Sequence, residues 1–259
     1  MAEAVETRPP HNMSSLLDST AHRPWPLPSG PWIMAQSWHN LLFVHWEIDA
    51  SELRPYIPVN LTMDTYEGKA WLGIVPFRMS GVRLRWTLAL PGLSAFPELN
   101  VRTYVTLEGK PGVWFFSLDA ANALAVAAAR LSFHLPYFRA RMNCDEIDGW
   151  IHYKSERDHA GAPGASFEAR YRPAGEDFRA QPGTLEYFLT ERYCLYAAAG
   201  DRIYRGEIHH AAWQLQPAEA QFTRNSMAEA AGLTLPNQMP LLYFARRQDM
   251  VAWGPQRVL

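Results

Sequence analysis

The chain has 259 residues, 48% of them hydrophobic and 13% aromatic, enough apolar material for one large core in a single domain. Its 24 basic and 26 acidic residues give a formal net charge of −2, which excludes the broad basic face that nucleic acid or an anionic membrane would call for. Two cysteines, Cys144 and Cys194, are too few for a disulfide scaffold and are expected as reduced thiols.

Residues 1–30 are rich in Pro, Ser and His and lack periodicity, so they predict a flexible or extended lead-in to one domain over 31–259. Glu3 and Glu6 interrupt any apolar leader, and no apolar run approaches the length of a membrane span, which points to a cytoplasmic protein. MAQSWHNLLFVHWEI (34–48) mixes aromatic and β-branched residues as a strand does; Asp49 or Ser51 can then cap a short helix, SELRPYI, that stops at Pro58. AWLGIVPF (70–77) and VRLRW (82–86) predict two strands around a Ser-Gly turn. ELNVRTYVTL and VWFFSLDA, joined by GKPG, predict a hairpin over 98–119. An alanine-rich helix precedes FHLPY. FRARMNC and WIHYKSER form a second hairpin around Asp148-Gly149, and SFEARYR, RYCLYAAA, RIYRGEIHH and LLYFARR supply further strands, with short helices at GTLEYFLTER and NSMAEAAGL.

This order predicts a mainly β fold with a few short helices, a curved antiparallel sheet closing into a cone-like barrel around a pocket. The aromatic residues would either line that pocket or simply fill the core. A small-molecule ligand is the expected partner, with neither nucleic acid nor a membrane, and a homo-oligomer is left open.

The blocks RPWPLPSGPWIMAQSW, LLFVHW, AWLGIVPFRMSGVR, FPELNVRTYV, GVWFFSLDA and ARLSFHLPY resemble the YqjF-like bacterial family of unknown function, from about residue 23 to the C-terminus. That family is distantly similar to the acetoacetate decarboxylase superfamily, which implies a cone-like barrel of antiparallel strands around a buried active site. The resemblance implies Glu98 for a pocket-facing glutamate, and the spacing of RLSFHLPY implies Arg130 for an arginine aimed at an anion or polarised carbonyl. The Schiff-base lysine of the decarboxylases is replaced by Tyr137, followed by Phe138, and a tyrosine cannot form an imine. Lys69 and Lys110 fall in predicted turns, where solvation would keep them protonated; Lys154 is the remaining candidate, on a strand where charged residues usually face water.

The candidate catalytic residues are therefore Glu98, Arg130 and Tyr137, with Arg102, His134, Tyr104 and Phe116 as ligand contacts. Strand alternation puts Glu98, Asn100 and Arg102 on one face. Two other readings stay open: Glu98 and an arginine could form an ion pair bracing the barrel, and His134 could be a hydrogen-bonded structural histidine. His209-His210 point to opposite faces of a strand, and the chain lacks HExxH, CxxC, GxGxxG, GxxxxGK and GxSxG, so no metal and no cofactor is expected. The resulting expectation is an enzyme of lyase or isomerase type acting by proton transfer on a small apolar carbonyl or carboxylate compound; the alternative is a ligand-binding or sensing protein that kept the cavity without the chemistry.

Overall fold

The computed structural model describes residues 13–90 and 93–259. In chain order the elements are α1 (Met13–Asp18), β1 (Met34–Ile48), α2 (Ala50–Leu53), β2 (Thr62–Met63), β3 (Ala70–Leu84), β4 (Phe96–Leu107), β5 (Lys110–Ala120), α3 (Ala123–Phe133), β6 (Tyr137–Ile147), β7 (Trp150–Arg157), β8 (Ser166–Pro173), α4 (Leu185–Thr190), β9 (Cys194–Ala199), β10 (Arg202–His210), β11 (Gln216–Asn225), β12 (Leu241–Ala252) and β13 (Gln256–Arg257). The strands form one curved sheet, antiparallel except for β5, which runs parallel to both β6 and β9.

Two circuits of strands close within this sheet. One passes through nine strands, β5-β6-β7-β8-β11-β12-β1-β3-β4 and back to β5; the other leaves β5 through β9 and β10 to reach β12 and returns along the same β1-β3-β4. The wall β12-β1-β3-β4-β5 is shared, so both of its faces are covered. That explains why its sequence runs apolar without a polar alternate, as in LLFVHW. Leu42, Val44, Ile74, Leu99 and Val101 pack on one face against Tyr153, Phe167 and Phe244, and Leu41, Phe43, Val75 and Phe77 occupy the other.

Asn40 sits in β1 at φ 52°, where the register against β3 shifts between His39 and Val44. A bulge of this kind moves the side-chain alternation by one, and Trp38 consequently shares a face with Leu41 and Phe43.

Several local expectations need correction. The Ser80-Gly81 turn is a kink inside the single strand β3: Gly81, at φ 63°, bends a chain that keeps pairing with β1 as far as Leu84. The first hairpin turns at Glu108-Gly109, φ 52° and 75°, which suit a tight two-residue turn, and so Lys110, Pro111 and Gly112 belong to β5. Gly112 is required there, because a Cβ would lie 2.7 Å from the Tyr196 ring and 2.8 Å from Cys194 Sγ. NSMAEAAGL forms only a 3₁₀ turn over Glu229–Ala231. The lead-in is attached to the sheet from residue 13 onwards: Leu16 packs with Ala35, Val251 and Trp253, and Arg23, 9% exposed, donates to the Ile208 carbonyl at 2.8 Å. The rest of the predicted flexible segment, residues 1–12, lies outside the described residues. No described helix is long and apolar enough to cross a membrane.

Candidate active site

The shared wall turns one face of β4 into a cavity of about 780 Å³ inside the circuit that includes β9 and β10, a volume typical of small-molecule sites. Alternation along β4 sends Phe96, Glu98, Asn100 and Arg102 into it, and Trp38, Phe43, Phe77, Leu118 and Trp213 make up much of the remaining lining. The lining is mainly apolar, with polar groups along β4 and others, among them Gln36, Arg192, Glu207 and His210, from the strands and turns around it.

Glu98 is 4% exposed. Burial pushes its carboxyl up from 4.5 to about 8; the hydrogen bond from Tyr137 works against that rise and the neighbouring Asp119 adds to it. Tyr137 O–H donates to Glu98 Oε2 at 2.9 Å, and its own ionisation is raised well above the ordinary value by burial and by Glu98. The strand beneath is fixed by Tyr153, whose hydroxyl donates to the Glu98 carbonyl at 2.7 Å. At neutral pH the pair is thus a carboxylic acid and a phenol, both facing the chamber, of which the carboxylic acid is the proton donor.

Two further polar groups on β4 are left for a ligand, as are Glu207 Oε2 and the Trp38 and Trp213 indole N–H groups elsewhere in the lining. Asn100, 4% exposed, has its Oδ1 buried and unpartnered, and Arg102 has its Nε in the same condition. The Arg102 guanidinium lies 5.4 Å from the Phe43 ring centre and 5.7 Å from that of Tyr104, and donates through Nη2 to the Leu189 carbonyl at 3.3 Å. Gly73, opposite in β3, makes room: a Cβ there would meet His45 Nε2 at 2.9 Å and Arg102 Cγ at 3.3 Å. Tyr104 is fully buried behind Arg102, donating to the Leu189 carbonyl at 2.6 Å and lying 2.7 Å from His45 Nε2. It supports the arginine and lies outside the lining of the chamber. Burial and Arg102 hold His45 well below its ordinary pKa, hence neutral.

The remaining candidates go elsewhere. Arg130 lies in the last turn of α3, which Asn122 caps by accepting from Leu124 and Ala125 N–H. Its exposed side chain donates to the Tyr137 carbonyl at 2.6 Å and lies 5.8 Å from the Phe138 ring centre. The arginine predicted to aim into the barrel mouth therefore stays outside it. The cause is local: His134 takes the left-handed conformation, φ 54°, that ends α3, and β6 then alternates with Tyr137 inward and Phe138 away. Arg130, His134 and Phe116 line a second, open hollow of about 620 Å³, with the His134 ring 4.5 Å from that of Tyr204. The predicted constellation is divided between two hollows, with Glu98, Tyr137 and Arg102 in the chamber.

A buried carboxylate–arginine pair does exist, between other residues. Asp119 accepts from Arg157 Nε at 2.7 Å and Nη2 at 2.9 Å, their side chains 0% and 1% exposed, and the guanidinium covers the Phe138 ring at 4.1 Å. The sequence signal was an aspartate closing the apolar strand VWFFSLDA, though its partner 38 residues on had no signal. Trp38 and Trp213 were also missed, since a Trp in an apolar run looks like core; His45, considered with His39 only as a metal ligand, instead sits behind Arg102 against Tyr104.

None of the three lysines lines the chamber. Lys69 pairs with Glu47 at 3.0 Å and Lys154 with Glu168 at 3.7 Å, both exposed. Lys110 departs from the expected solvated turn: it is 16% exposed and bonds Glu207 at 2.5 Å. Among the described residues no group of three or more His, Cys, Asp or Glu side chains is arranged to hold a metal ion.

A curved sheet folded around such a chamber is the architecture of the acetoacetate decarboxylase-like proteins. The enduracididine biosynthesis enzyme MppR, solved with pyruvate, superposes with a TM-score of 0.61 at 12% identity over 91% of this chain and 93% of its own. Acetoacetate decarboxylase from Legionella pneumophila does so with 0.59 at 12% over 93% and 94%. In sequence the relationship is narrower. The DUF2071 family, described as an uncharacterized conserved protein, matches residues 35–249, and the uncharacterized protein YqjF of Bacillus subtilis (strain 168) is 47% identical over 227 residues, 88% of this chain and 93% of that one. The chain belongs to the DUF2071 family.

Proposed function

We propose that the protein is an enzyme that moves a proton on a carbonyl or carboxylate compound without forming an imine. The observation that carries this reading is Glu98, a carboxyl held at about 8 beside a phenol and facing an apolar chamber. An acid near neutrality is matched to both directions of transfer. As the acid, Glu98 gives its proton to a substrate oxygen or carbon; as the resulting carboxylate, steadied by the Tyr137 hydroxyl, it takes a proton from a neighbouring carbon and returns to its starting state. Such a cycle isomerises, or eliminates water when a hydroxyl leaves. Arg102 is the cation suited to an anionic group of the substrate. Pyruvate and acetoacetate, named with the structural relatives, are oxo acids and support the substrate class.

The test is deuterium wash-in from D2O into pyruvate, 2-oxobutanoate, 2-oxooctanoate and 2-octanone, followed by proton NMR. Exchange by the wild type that Glu98→Gln abolishes is expected. Saturable binding with no exchange in any of the four would replace this reading with the ligand-binding one, which the absence of a lysine from the chamber lining also favours.

A further inference from the structure

We infer that the substrate is an elongated amphiphilic acid whose carboxylate meets Arg102 at the closed end of the chamber while its apolar chain runs past Glu98 to the mouth. The inference rests on the reading of this chamber as a substrate site and adds the shape and polarity of what enters it.

The order of groups along β4 carries the argument. The mouth lies at the loop that precedes β4, where Leu88, Leu90 and Leu93 line the cavity and are yet 86%, 59% and 45% exposed. From there inward β4 presents Phe96, Glu98, Asn100 and Arg102. Glu98 and Arg102 are four residues apart, roughly 13 Å of extended strand; the bulge opposite them adds its extra residue, Phe116, to β5 and leaves β4 extended. The guanidinium lies between the Phe43 ring at 5.4 Å and the Tyr104 ring at 5.7 Å and donates to the Leu189 carbonyl. An oxo acid of three or four carbons cannot touch both groups. A chain of roughly ten atoms, advancing about 1.3 Å per bond, can.

Arg102 is the cation free to anchor the head. No ion pair engages it among the described residues, its one hydrogen bond is 3.3 Å long, and its Nε is buried without a partner. Arg192, the other cation at that end of the lining, is committed to Asp64 at 2.5 Å and to the Phe188 carbonyl at 2.7 Å. Asn100 Oδ1, also unpartnered, lies between Arg102 and Glu98 on the strand and could accept from a hydroxyl partway along the chain. Beyond Glu98 the path is mainly apolar, with Thr87 and Ser94 among its lining, and the exposed leucines at its end are costly to leave in water unless an apolar chain passes between them. Arg83 lines the same end and donates to the Gly81 carbonyl at 3.3 Å; it is the alternative anchor, with the head at the mouth.

Trp38 and Trp213 line the chamber, so tryptophan fluorescence, checked by calorimetry, reads binding directly. The probes are acetate, hexanoate, decanoate and methyl decanoate. Affinity should rise about two- to fourfold per methylene up to decanoate, and Arg102→Met should weaken decanoate at least tenfold while leaving the ester unchanged. Leu90→Glu, at an exposed position that does not threaten the fold, should weaken decanoate and spare hexanoate. The inference is overturned if hexanoate or acetate binds as well as decanoate, if the ester equals the acid, or if Arg83→Met abolishes binding where Arg102→Met does not. Exchange into 2-oxobutanoate without a chain-length trend would sink the elongated substrate and keep the proton transfer; a chain-length trend with no exchange in any oxo compound would do the reverse.

Discussion

Replacing Glu98 by Gln should stabilise the protein at neutral pH, an unusual outcome for a buried polar position. The carboxyl ionises at about 8 in the folded chain against 4.5 for the free group. The folded state therefore holds this proton more tightly than the unfolded state does. The stabilisation that goes with the proton is complete below about pH 4.5 and is lost as pH rises through about 8. At about 1.4 kcal/mol per pH unit, the wild type has given up about 3 kcal/mol by pH 7 and about 5 kcal/mol above pH 8. Gln has nearly the shape of the protonated acid, can still accept from Tyr137, and has no proton to lose. Urea unfolding followed by tryptophan fluorescence should find the variant and the wild type similar near pH 4, with the variant ahead by about 3 kcal/mol at pH 7. A difference that stays constant with pH, or a wild type that is the more stable at pH 7, would refute the neutral carboxylic acid and the proton-transfer role built on it.

Tyr137→Phe removes the one hydrogen bond that opposes the rise of Glu98, so the carboxyl should titrate above 8, visible in the infrared carbonyl band of the protonated acid. Arg157→Met strands Asp119 without its bidentate partner and should cost roughly 3–5 kcal/mol in urea unfolding, with Asp119→Asn in the same chain recovering much of it. Arg130→Met, exposed and outside the chamber, should change stability by less than about 1 kcal/mol and leave decanoate binding as it was. Borohydride with acetoacetate should leave the intact mass unchanged, because all three lysines are held in ion pairs and none lines the chamber; a stoichiometric adduct would restore imine chemistry.

The strands were readable where packing and local pattern agree. The apolar runs of β1, β3 and β4 and the Asp148-Gly149 turn follow from β-branched and aromatic content and from residues that tolerate positive φ. β11 was invisible, because QPAEAQFTRN carries helix formers and a proline and is a strand only through its pairing with β8 and β12. On β4, period-two alternation was enough to put Glu98, Asn100 and Arg102 on one face. What alternation cannot supply is the direction in which a chain leaves a helix. Arg130 sits near the right sequence distance from Tyr137, and the left-handed His134 turns the two to opposite sides of the same segment. Lys110 shows the same limit: moving the turn by two residues, from GKPG to Glu108-Gly109, carries it from solvent into an ion pair with Glu207.

The energetics of the shared wall bear on why the chamber persists. One face of β1-β3-β4 is packed solid against Tyr153, Phe167 and Phe244, and the other borders about 780 Å³ that no side chain fills. The open face carries two kinds of cost: about 3 kcal/mol to keep Glu98 protonated at pH 7, and roughly 1–3 kcal/mol for each buried polar atom without a partner, among them Asn100 Oδ1, Arg102 Nε and the indole N–H groups of Trp38 and Trp213. Apolar residues at these five positions, Glu98 included, would remove those costs. Stability alone therefore argues against this lining, and local violations of packing and polar satisfaction gather where a protein binds or reacts with something else. Along one face of β4 the acid, an unpaired acceptor and a cation with an unpaired donor follow in that order, within reach of a single extended molecule.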